Sequence, residues 1–76
     1  MHKHRIVSDS AVLSGKPIVK GTRLSVEFLL GLMADGWSNE QIVQNYPGLT
    51  TEDLIACLEY ARDSVAGERG FPSAAE

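Results

Sequence analysis

The stretch Ser38–Asp53, SNEQIVQNYPGLTTED, contains two helix starts and the break between them. Ser38 followed by Gln41 is a capping box, in which each side chain reaches the other residue's backbone N–H. Thr50 and Asp53 repeat the spacing with a carboxylate in third place. Between the two boxes, Tyr46-Pro47-Gly48-Leu49 ends the first helix, because proline cannot continue the hydrogen-bond ladder. A short helix, a four-residue break and a longer helix make the spacing of a helix-turn-helix unit.

Downstream, the pattern predicts a helix over 51–66, with Leu54, Leu58, Ala61 and Val65 as its apolar face and Gly67 as its close. Upstream, Val26, Leu29, Leu30 and Met33 recur at helical spacing, widened by Phe28 and Leu32, and predict a helix over 26–35. Ser25 suits its N-cap and Gly36 its C-terminal turn. The middle helix covers 39–45, and Trp37 and Tyr46 are expected to pack beneath it. Further upstream, the β-branched pairs Ile6-Val7 and Ile18-Val19 predict two short strands, near 5–7 and 18–20, joined by a loop near Ser8–Lys16. Pro17 belongs at a strand start and Gly21 at a turn. The fold class is mainly α. A three-helix bundle with a helix-turn-helix and a short N-terminal β-hairpin fills residues 1–66, and residues 67–76 form a flexible tail.

Seventy-six residues make one small domain, and Cys57, the single cysteine, leaves it without a disulfide. Cores of this size supply only about 3–5 kcal/mol without a staple, so a homodimer through the hairpin and first helix is expected. Cys57 reads as a small packed hydrophobe. No apolar run reaches membrane-span length, MHKHR has no apolar stretch behind it, and the expected location is cytoplasmic.

The net charge of -3 hides an asymmetry. Residues 1–23 carry Lys3, Arg5, Lys16, Lys20 and Arg23 against Asp9, a balance of +4, whereas residues 24–76 carry two arginines against nine carboxylates, a balance of -7. Lys16, Lys20 and Arg23 are candidate phosphate contacts, with Lys3 and Arg5 as a flexible arm. Arg23 has a rival reading as an ion pair with Glu27, and Gly21-Thr22 one as a tight turn with its hydroxyl on the backbone. Glu52, Ala56, Glu59 and Asp63 form an acidic row on the third helix, opposite its apolar face. Such a row repels phosphates, and apart from Arg62 the helix lacks the usual side chains that read base edges.

Other chemistry is excluded by spacing. In GKPIVKGT the glycine and lysine are transposed relative to a phosphate-binding loop, and Pro17 removes a cradle N–H. His2-x-His4 lacks a second ligand pair, and no nucleophile stands with a base, so no metal, cofactor or enzymatic activity is expected.

The strings GKPIVKGTRLSV and DGWSNEQIVQNYPGLTTEDLIACLEYA together resemble domain-of-unknown-function family 433 over roughly Ile6 to Asp63. The matching positions are Gly15, Lys16, Pro17, Gly21, Thr22, Arg23, Tyr46, Pro47 and Leu49. Of these, Gly21, Thr22, Tyr46 and Pro47 are expected to be structural. Ser25 replaces the proline the family often carries there. The resemblance implies a homeodomain-like fold. It also implies the role of antitoxin in a bacterial type II toxin–antitoxin pair, beside a PIN-like nuclease toxin. An antitoxin that also binds its own promoter DNA would account for both charged halves of the chain. Glu52, Glu59 and Asp63 would then face the toxin, with Tyr60 or Phe71 as the apolar anchor. The alternative is a homodimeric scaffold or adaptor that meets no nucleic acid.

Overall fold

The computed structural model describes residues 3–67. The tail from residue 68 onward, Phe71 included, lies outside the described residues, as does His2. A 3-10 turn, Lys3–Arg5, leads into strand β1, Ile6–Ser8. A second such turn, Leu13–Gly15, precedes strand β2, Pro17–Val19. Helices α1 (Val26–Ala34), α2 (Asn39–Asn45) and α3 (Thr51–Ala66) follow.

The strands pair antiparallel, Ile6 with Val19, Val7 with Ile18 and Ser8 with Pro17. Each lies one residue from its expected place, in opposite directions, as antiparallel pairing requires. Pro17 therefore opens its strand, where a missing N–H costs nothing. The chain then turns sharply. The Thr22 hydroxyl donates to the Val19 carbonyl at 2.8 Å and accepts from the Leu24 N–H at 3.0 Å. Gly21 takes φ +83, a left-handed conformation that other residues enter only with strain. This fold-back brings Ser25 beside Ile18 as a further bridge and aims the chain into α1.

Side chains cap each helix start. Ser25 Oγ accepts from the Phe28 N–H at 2.9 Å. Both capping boxes are present in full, Ser38 with Gln41 and Thr50 with Asp53. At the end of α1, Gly36 N–H bonds Met33 O and Trp37 N–H bonds Leu32 O, with Gly36 at φ +96. That is the Schellman arrangement, and it stops the helix one residue before the expected end.

The core gathers Val19 from β2, Val26 and Leu29 from α1, Ile42 from α2, Leu49 from the turn, and Leu54 and Cys57 from α3. Trp37 and Tyr46 pack against it half-buried, and Phe28 meets Tyr46 edge to face at 5.7 Å. The third helix sits differently from the expectation. Its buried residues are Asp53, Leu54, Ala56 and Cys57, while Leu58 is 48% and Val65 56% exposed. The buried arc is rotated by about one residue, roughly 100°, from the predicted stripe. Asp53 and the small residues Ala56 and Cys57 take the inner positions because Arg5 arrives to satisfy the carboxylate.

Asp53 joins the hairpin to the helices. One of its oxygens accepts from Arg5 Nη1 at 3.1 Å, and the other accepts from the Thr50 N–H at 3.0 Å. Asp53→Ala removes both bonds and is expected to cost about 2–3 kcal/mol in urea unfolding. Arg5→Ala should cost about 1 kcal/mol, and the double mutant should cost less than the sum, because the partners are shared. A Cβ at Gly21 would meet nothing within 4 Å, so Gly21→Ala should cost only conformational strain, about 1 kcal/mol. Gly21→Asn should cost less than half of that, since asparagine tolerates the left-handed region.

Candidate functional site

At 1.5 Å per residue, the 16-residue α3 is about 24 Å long, well beyond the nine-residue α1. Its first half seals the core. Its second half overhangs the hairpin and α1, and two depressions flank Tyr60 there. One, of about 410 Å³, is lined by Ile6, Ala56, Glu59, Tyr60, Asp63 and Ser64. The other, of about 430 Å³, is mostly apolar, with Pro17, Val26, Leu30, Tyr60, Ala61 and Val65 among its walls. Tyr60, 42% exposed, belongs to both.

The acidic row does not form one solvated face. Ala56 is buried in the core, and Glu59 is half-buried and engaged in an interaction of its own. Glu52 is exposed on the first turn, and Asp63 accepts from Arg62 Nε at 3.2 Å. Glu52 stands apart from the other two only along the axis, about 10 Å from Glu59. Glu59 and Asp63 lie on the rim beside Tyr60. On the outer surface of α3, Ile55 and Leu58 are exposed.

The five cations also part company. Arg5 is no flexible arm: it is tied to Asp53, whose side chain is nearly buried. The rival reading of Arg23, an ion pair with Glu27, is not realised: Lys16 takes that place, with Nζ 3.0 Å from Oε1. The hairpin brings Lys16 across to the first turn of α1, a tertiary proximity that helical spacing does not encode. Lys20 lies with His4, Arg5 and Asp53 around a depression of about 270 Å³. Arg23 shares a separate groove with Lys16. Lys3 opens the first 3-10 turn. Among the described residues, Lys20 and Arg23 have no ion-pair partner.

Sequence reasoning missed Leu13. It is exposed at φ 50, followed by Ser14 at φ 58 and Gly15 at φ 85. Three consecutive left-handed residues are rare, and each non-glycine among them costs about 1–2 kcal/mol. No glycine at position 13 or 14 advertised the turn.

Among the described residues, no three His, Cys, Asp or Glu side chains converge as a metal site, and no helix is long and apolar enough to cross a membrane. Cys57 is fully buried. Burial, reinforced by the Asp53 carboxylate, pushes its thiol up from 9.0 to about 11.

The architecture is thus a small helical bundle with an N-terminal hairpin. The chain belongs to the family described as "Protein of unknown function (DUF433)", whose model matches residues 6–61. A solved structure of a DUF433 member from Anabaena variabilis is similar, with 31% identity and a TM-score of 0.77 over 82% of this chain. The chain spans 61% of that protein's length. No curated protein matches the chain.

The thiol makes a prediction about pH. Unfolded, Cys57 ionises near 9.0; folded, it ionises at about 11, so the unfolded state loses its proton first. Stability therefore falls as pH rises through that window, by roughly 2–3 kcal/mol at the far end. Urea titrations at pH 8 and pH 11 should show this slope in the wild type and a smaller one in Cys57→Ala.

Proposed function

We propose that the domain is an antitoxin of a bacterial type II toxin–antitoxin pair, which holds a PIN-like nuclease toxin through the second half of α3. The observation that carries this reading is Tyr60, an exposed aromatic between two depressions with Glu59 and Asp63 on the rim. Aromatic anchors flanked by apolar hollows are typical binding hot spots. A nuclease holds anionic RNA, so its groove is cationic, and rim carboxylates complement it and speed encounter. Charge alone adds little affinity at an exposed rim, which is why the anchor matters. Promoter binding is the smaller part of the reading. It falls mainly to Lys20 and Arg23, because Arg5 is partly committed to Asp53 and Lys16 to Glu27.

The alternative is a homodimeric scaffold. What favours it is the apolar depression bounded by Pro17, Val26, Leu30 and Val65, which lies at the hairpin and first helix where self-association was expected. A monomer in sedimentation at tens of micromolar would exclude the scaffold, which requires a dimer of the isolated chain.

Co-expression with the product of the adjacent gene tests the antitoxin. The wild type should rescue growth and co-purify with that product. Tyr60→Ala should weaken the complex by about 10- to 100-fold while leaving the fold intact, and Asp63→Arg should mainly slow association. A neighbouring product that is harmless alone, or that never co-purifies, would exclude the antitoxin role.

A further inference from the structure

We propose that the groove between the Leu13–Gly15 turn and α1 docks a short acidic segment of another protein, one that carries a single bulky aliphatic or aromatic side chain. The groove, of about 550 Å³, lies within the range of ordinary ligand pockets. Leu13, Leu24 and Phe28 supply its apolar surface, with Lys16 and Arg23 beside them. Leu13 and Phe28 are both large hydrophobics 42% exposed, facing one hollow from different elements.

The turn that presents Leu13 is built rather than slack. Val12 N–H bonds Asp9 O, Gly15 N–H bonds Val12 O, and Lys16 N–H bonds Leu13 O. These bonds hold Leu13 in the left-handed region and exposed, where the fold gains little from its burial. Strain retained by a well-bonded turn is a common mark of a functional surface.

Charge selects the occupant. Arg23 has no ion-pair partner among the described residues, and Lys16 pairs only with exposed Glu27, a contact worth too little to resist displacement. The groove is thus locally cationic on a chain whose net charge is -3. A nucleic-acid strand fits it less well. The adjoining depression also contains Lys16 but adds Glu27 and Asp35, so a continuous phosphate track leaving the groove meets carboxylates. A short peptide places its few charges at Lys16 and Arg23 and its apolar side chain between Leu13 and Phe28. The site shares no lining residue with the Tyr60 depression formed by Ile6, Ala56, Glu59, Asp63 and Ser64, so it does not depend on the antitoxin reading.

The test uses a fluorescein-labelled peptide of aspartates and glutamates around one central leucine, titrated with the full chain and followed by anisotropy. Binding is expected at roughly 10–100 μM, weakening several-fold as salt rises from about 50 to 200 mM. Replacing the acids by asparagine and glutamine should weaken it at least about tenfold, as should Arg23→Glu, an exposed change that leaves the core untouched. Phe28→Ser should weaken binding several-fold, with circular dichroism confirming the fold, whereas Tyr60→Ala should leave binding unchanged. No binding up to about 1 mM, equal binding of the neutral peptide, or full binding by Arg23→Glu would overturn the proposal. Tighter binding of a single-stranded oligodeoxynucleotide through the same residues would overturn it in favour of nucleic acid.

Discussion

The carboxylate of Asp53 is the constraint on which the rest of the molecule depends. It closes the capping box at the start of α3 and receives Arg5 from the residue before β1. The two-stranded hairpin is too small to be stable alone, so its position depends on what fastens it. Fastened there, β2 delivers Val19 to the core, and the turn after it aims α1 across α3. The same contact sets the rotation of α3. A nearly buried aspartate is tolerated because two donors, the Arg5 guanidinium and the Thr50 N–H, share its oxygens. Once it faces inward, Ala56 and Cys57 face inward with it, and Leu58 and Val65 are left outside.

That rotation explains what could be read from the residues and what could not. Helix starts were legible because the caps are local: Ser38 with Gln41 and Thr50 with Asp53 are three residues apart, and the bonds form there. The hairpin was legible from Pro17, Gly21 and the β-branched pairs, although each strand lies one residue from its expected bounds. The inner face of α3 was not legible. Periodicity ranks residues by apolarity, so it chose Leu58 and Val65 over an aspartate whose burial depends on an arginine 48 positions away. The pairing of Glu27 with Lys16 was hidden for the same reason, since only the folded hairpin brings them together.

Two surfaces of opposite character result. The overhanging half of α3 presents an aromatic with carboxylates at its edge, and the groove beside the left-handed turn presents apolar side chains beside cations. The charge asymmetry along the chain becomes a spatial one, but not the one its arithmetic suggested. Arg5 and Lys16 already face carboxylates, and the positive character that remains rests mainly on Lys20 and Arg23, which the fold places in different hollows.

The span between Arg5 and Asp53 also sets where the entropic cost of folding falls. The α2–α3 unit is held by caps and turn bonds a few residues apart, which cost little to close. Joining residues 48 apart costs roughly 3 kcal/mol in chain entropy before any contact repays it. Fastening the hairpin is therefore a far costlier closure than any helix cap, and the core packing of Val19 that comes with it has to offset that cost.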